Sequence, residues 1–306
     1  MEPLERRKLI LERVRTGLAV TADEIVHLRD TADRAELRLV DCAGEPIEQS
    51  ISSRLALLKP VEDRLAVLGV AVGSSALWNH YLPLARVISA WTSADGTCIG
   101  GVVGLPGAGK TTLTTSVKSA VTLMMEKPVA VVSLDDFYFT PAERQSLGFR
   151  WRAMPGTHDL RLLTRFLDNA RNTDQIITIP RYDTRTETRL PNVVLPRPRL
   201  ILFEGWFVGA WVPGYEVLAE ALDFLIYIDM ELGAAHRSRL LREEKIRSES
   251  NSALGMSAEE TECFWQEAIL PTAMQWVLPL RSKADLTLRV DERHHIREIS
   301  NCSNKH

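Results

Sequence analysis

The chain has 306 residues, 45% of them apolar and 25% charged, with a formal charge of −3. That length bounds it to one large or two modest domains of ordinary globular composition, and the near-neutral balance leaves no basic footprint for nucleic acid. No apolar run approaches the roughly 20 residues needed to span a bilayer, and the opening MEPLERRKLILERVR lacks the apolar core and cleavage site of a secretion signal. We therefore expect a cytoplasmic protein with neither a membrane nor a nucleic-acid partner, its oligomeric state left open.

Residues 1 to about 90 show helical periodicity and almost no strand signal. Leu9, Ile10, Val14 and Leu18 form one apolar stripe, and Leu55, Leu57, Leu58, Val61 and Leu65 suggest another. Gly73 and two serines break the pattern, and 77–91, LWNHYLPLARVISAW, reads as a further helix kinked or started near Pro83. We expect a helical N-terminal extension over 1–75 and the main domain over 76–306. From there, apolar strand candidates at 98–103, 129–134, 200–203, 223–229 and 286–290 alternate with helical or looped stretches. Strands separated by helices imply a mostly parallel, doubly wound α/β sheet covered on both faces. Cys42, Cys98, Cys263 and Cys302 have no metal-type spacing and read as reduced thiols.

Between the first strand and a helix carrying Leu113, Val117, Val121 and Met124 lies GLPGAGKTT, Gly104 to Thr112. This is the phosphate-cradling pattern of Gly, four residues, Gly, Lys, Thr. A strand turning through glycines into a helix aims successive backbone N–H groups and the positive end of the helix dipole at one spot. Gly104, Pro106, Gly107, Ala108, Gly109 and Thr112 are expected to surround a triphosphate there. Lys110 would reach its β- and γ-phosphate oxygens, and the Thr111 hydroxyl would hold Mg²⁺. The second strand delivers Asp135 and Asp136 at its carboxyl end, the edge where such sheets bind ligands. Phosphoryl transfer to an alcohol needs a carboxylate to accept the hydroxyl proton and acids to hold Mg²⁺. Asp136 could instead cap the following turn.

In order after the loop come SLDDFY (133–138), PGTHD (155–159), PRYD (180–183) and LFEGW (202–206). Together they resemble the phosphoribulokinase, uridine kinase and pantothenate kinase superfamily, and within it the plant-type glycerate kinase group. GMSAEE (255–260) and the ILPTAMQWVLPL that follows extend the likeness to about residue 295. The resemblance implies a P-loop NTPase fold, ATP with Mg²⁺, and transfer of the γ-phosphoryl to a hydroxyl of a small metabolite. It makes Asp135 the general base, Asp136 a Mg²⁺ or substrate ligand, and Glu204 a Mg²⁺ ligand. Tyr182, Asp183 and Arg189 match an acceptor-site segment. The helix AHRSRLLREEKIR, 235–247, is similar to the family's lid, whose arginines close over the phosphates. Arg239 and Arg242 match best, Arg239 with a catalytic role; both could equally belong to an ion-paired helix face.

His158 and Asp159 read either as a substrate pair or as the cap of the next helix, a position that suits Asp159. Trp206, Phe207 and Trp211 either wall the acceptor pocket or pack in the core. Ser257 with Glu260 is a capping box, and His294 and His295 read as surface residues. The chain departs from glycerate kinases after PRYD, where TRTETRLPNV replaces a glycine-rich, GRGDR-like segment. The leading acceptor is glycerate, with a nucleoside, pantothenate or a specialised metabolite as alternatives. A nucleotide-driven switch acting on a macromolecule is the reading from another class; the guanine-reading Asn, Lys, any residue, Asp motif is absent.

Overall fold

Four helices, α1 (Pro3–Arg15), α2 (Ala22–Asp30), α3 (Arg34–Ala43) and α4 (Ile47–Val67), open the computed structural model, which describes residues 2–92, 96–172, 176–249 and 255–301. Thr21 and Glu24 form a capping box on α2, and the Asp33 side chain accepts from the Glu36 amide at the start of α3. The buried face of α1 is Arg7, Ile10, Leu11 and Val14, while Leu9 and Leu18 face solvent. The expected stripe is thus rotated, because an arginine occupies one of its inward positions. On α4, Ile51, Arg54, Leu58, Val61 and Leu65 face inward, and Leu55 and Leu57 are only partly buried.

The two inward arginines meet on one carboxylate. Glu36, on α3, accepts from Arg7 at 2.5 Å and also from Arg54. Arg54 donates to the Trp78 carbonyl at 3.2 Å, and its guanidinium lies 4.7 Å from the Trp78 ring centroid. This buried network ties three N-terminal helices to the segment that follows. There, α5 (Ser74–Ala76), a π turn at Leu77–Tyr81 and α6 (Leu82–Trp91) run together. Pro83 falls in the first turn of α6, where its missing N–H is least costly.

The chain then alternates through β1 (Cys98–Gly104), α7 (Lys110–Met125), β2 (Val129–Ser133), α8 (Pro141–Ser146), α9 (Leu160–Asn172), a hairpin of β3 (Ile176–Asp183) and β4 (Thr188–Pro196), and β5 (Leu200–Glu204). After these come α10 (Glu216–Glu220), β6 (Phe224–Met230), α11 (Leu232–Glu249), α12 (Ala258–Phe264), α13 (Leu270–Thr272), β7 (Leu286–Val290) and β8 (Ile296–Ser300). The main sheet has the order β2-β5-β1-β6-β7-β8, parallel except for β8. Its parallel strands are the five expected from the sequence. α7 packs on β1, β2 and β5, and on the opposite face Phe166 of α9 lies against Phe137 and Phe203.

Three strands went unread in the sequence. Pro180 coincides with a register shift between Ile179 and Arg181, and β4 carries two prolines on a mostly exposed strand. β8 is a short edge strand. Cys42 is disulfide-bonded, which corrects the expectation of reduced thiols throughout, since spacing in sequence does not report which sulfurs meet in space. Cys302 lies outside the described residues. Among the described residues no helix is long and apolar enough to cross a membrane.

Candidate active site

β1 ends at Gly104, and the chain turns through Gly107 and Gly109, both left-handed with φ of 88° and 87°, before Lys110 opens α7. Only glycine holds that backbone at little cost, and the turn leaves the first amides of α7 free to face a ligand. Lys110 Nζ donates to the carbonyls of Gly104 at 2.9 Å and Leu105 at 3.1 Å, so the ammonium lies across the loop. Burial pushes its pKa down, opposed by the charges of Glu204 and Asp135. Pro106, Gly107, Gly109 and Thr112 line a cleft of about 1000 Å³, while Gly104 and Ala108 are buried behind them.

Strand register brings the acids to this loop. Glu204, last residue of β5, pairs with Val102 of β1 on one side and Ser133 of β2 on the other. It is 7% exposed, and burial raises its pKa against the opposing pull of Lys110. Thr111 Oγ1 donates to Glu204 Oε1 at 3.3 Å, and Ser133 pairs with Glu204 across the sheet. A hydroxyl and a carboxylate beside a phosphate loop suit Mg²⁺, a hard ion that fills most of its shell with phosphate oxygens and water. Among the described residues no group of three or more acidic, histidine or cysteine side chains could hold a metal ion.

Asp135 sits just past β2 in a tight 3₁₀ turn, Leu134–Phe137, partly exposed and lining the cleft. Its charge acts on Lys110, Glu204, Arg152 and Arg239, so these groups converge on one region. The buried Tyr138 side chain lines the same cleft, and burial together with the Asp135 charge pushes its pKa up. Asp136 also lines the cleft, but its carboxylate accepts from the amides of Ser133 at 3.3 Å and Tyr182 at 3.1 Å. That is the capping alternative, extended to pin the β3–β4 hairpin to the sheet edge. Tyr182 borders the cleft through this contact.

Other expected site residues are placed differently. His158 is 2% exposed, stacked on Tyr138 with Nδ1 2.7 Å from the Tyr215 hydroxyl. It is a core residue and does not line the cleft. Asp159 caps α9, accepting from the Leu162 amide at 3.0 Å. Asp183 accepts from the Arg185 amide at 2.8 Å inside the hairpin turn, and Arg189 pairs with Glu143 at 3.1 Å. Neither borders the cleft. The hairpin, unrecognised in sequence, turns these two side chains away. Trp206 lines the cleft, Phe207 is core and Trp211 is exposed.

On α11, Arg239 is buried over the Phe264 ring and paired with Glu243 at 2.6 Å, and burial lowers its pKa to about 10. It stays charged at neutral pH but is already paired, whereas Arg242 opens on the cleft without that burial. The Gly107 carbonyl accepts from Ser238 Oγ at 3.2 Å and from His294 Nε2 at 2.7 Å. His294 therefore packs on the phosphate loop, correcting its reading as a surface residue; it follows β7 at the same sheet edge. Sequence reasoning also passed over Tyr138, Arg144, Arg152 and Glu187, all lining the cleft. Only Tyr138, in SLDDFY, carried any signal.

Residues 99–296 match the model of the phosphoribulokinase/uridine kinase family. Pantothenate kinases of Agrobacterium fabrum and Streptomyces coelicolor are each 26% identical to the chain, over 94% and 78% of its length and 90% and 85% of theirs. Among solved structures, a D-glycerate 3-kinase from Cryptococcus neoformans superposes with a TM-score of 0.57 at 21% identity, covering 78% of this chain and 98% of that one. This last likeness is one of fold.

Proposed function

The chain belongs to the phosphoribulokinase/uridine kinase family of P-loop kinases, and from that premise we propose that it transfers the γ-phosphoryl group of ATP to a hydroxyl of a small anionic metabolite. The observation that carries this reading is the placement of Asp135 at the sheet edge within the field of Lys110 and Glu204. In it, the loop amides and Lys110 bind and orient the phosphates. Thr111 and Glu204 would hold Mg²⁺, which supplies charge neutralisation at the transferred group. Asp135 takes the proton from the acceptor hydroxyl as in-line transfer proceeds. Arg242, with Arg239 behind it, covers the phosphates and excludes water.

Glycerate and pantothenate are the two acceptors to test first. The resemblance of SLDDFY, PGTHD, PRYD and LFEGW to the glycerate kinase group supports one. The pantothenate kinase relative from Agrobacterium fabrum, matched over 94% of the chain, supports the other. TRTETRLPNV, standing where glycerate kinases carry a glycine-rich segment, weighs against glycerate. Acceptor-dependent ADP formation with each acid and with nucleosides separates these readings. Lys110→Ala should weaken ATP binding and lower the rate together, and an indifferent variant would remove the site assignment. Hydrolysis stimulated by a macromolecule and by no small alcohol would point to a switch instead.

A further inference from the structure

At the hairpin end of the cleft, two arginines share one acid. Arg144 reaches Glu187 through both terminal nitrogens at 3.2 Å, and Arg152 reaches it through Nη1 at 2.7 Å. Arg144 is 6% exposed and the Glu187 side chain 24%, so water screens the cluster poorly. By direct contact, two guanidinium groups meet one carboxylate. Both terminal nitrogens of Arg144 are committed to Glu187, whereas Arg152 bonds Glu187 through one nitrogen only, keeping Nε and Nη2 for another partner. Arg152 also lies within the field of Asp135.

The backbone points the same way. Glu187 ends the β3–β4 turn with φ of 52°, in the left-handed region where glycine or asparagine is least strained. A glutamate there is strained, and the two arginines hold its side chain in place.

Resting on the transferase reading above, we propose that Arg152, oriented by Glu187, binds the carboxylate of a hydroxy-acid acceptor, and that Glu187 is the positioning residue that sets a preference for acids over uncharged alcohols. One acceptor carboxylate can take the two remaining nitrogens of Arg152 in a forked pair. It thereby anchors the acceptor's hydroxyl on the Asp135 side of the cleft. An uncharged acceptor would leave those two poorly solvated N–H groups without a charged partner, the situation in which polar sites reject analogues most strongly.

The test is acceptor-dependent ADP formation by the full chain, with D-glycerate, pantothenate and other hydroxy acids, each beside its uncharged amide or alcohol counterpart, and with nucleosides. The acids should exceed their counterparts at least about tenfold in kcat/KM. Arg152→Lys and Glu187→Gln should each raise the acid's KM by about ten- to a hundredfold, leave the KM for ATP unchanged, and shrink the ratio of acid to counterpart toward one. Thermal melts check folding; if Glu187→Gln unfolds, Arg152→Lys decides alone. Counterparts or nucleosides used as well as acids, or variants that keep the acid preference, overturn the clamp while leaving the kinase reading intact. No acceptor-dependent ADP across the panel instead overturns the transferase reading, and the clamp with it.

Discussion

His158 is held neutral by burial, its pKa lowered to about 3 beneath the Tyr138 ring. In the unfolded chain the same imidazole titrates near its ordinary value of about 6.5. The unfolded state therefore takes up the proton first, so the stability tied to this histidine is complete above about pH 6.5 and is lost as pH falls toward 3. Denaturant melts between pH 7 and 4 should show an acid-side slope containing one proton's share, about 1.4 kcal/mol per pH unit, that His158→Gln removes. An identical slope in the variant would contradict the burial argument. The same low-dielectric surroundings act oppositely on Lys110 and Glu204, drawing the first down and the second up, while their mutual attraction opposes both shifts.

Helices α1, α3 and α4 are joined through Glu36, which is fully buried between Arg7 and Arg54. Glu36→Gln would strand two buried guanidinium charges and should cost about 3 to 5 kcal/mol in urea unfolding, measured against wild type; a loss under 1 kcal/mol would show that the triad is not what binds these helices. The central strands and the phosphate loop were legible in the sequence because long apolar runs and a spaced Gly, Lys, Thr pattern are local signals. Asp135 and Glu204 followed from standing at strand ends. The β3–β4 hairpin was not legible, its prolines masking the alternation of Ile177 and Ile179. Without it, Asp183 and Arg189 were directed at the acceptor, although the turn uses Asp183 and Glu143 holds Arg189. Glu187 lies 43 residues from Arg144 and 35 from Arg152 and shares no motif with them, so only the fold brings the three together.

Buried apolar residues form one cluster running from Ile10 to Ile299, which places the N-terminal helices and the sheet on a shared core. We expect urea unfolding followed by circular dichroism and by tryptophan fluorescence to give coincident transitions; two separated midpoints would mean that residues 1–75 fold as their own unit. On that scaffold the sheet's carboxyl edge gathers the loop after β1, the turn after β2 and the end of β5 at one cleft. The most direct measurement of what this convergence does is made on Asp135→Asn, with ATP affinity and acceptor-dependent turnover determined on the same preparation. ATP should bind about as well as to wild type, and turnover should fall by about 10² to 10⁴, the range for a lost general base. Turnover equal to wild type would contradict the assignment of Asp135 and, with it, the phosphoryl-transfer account of the cleft.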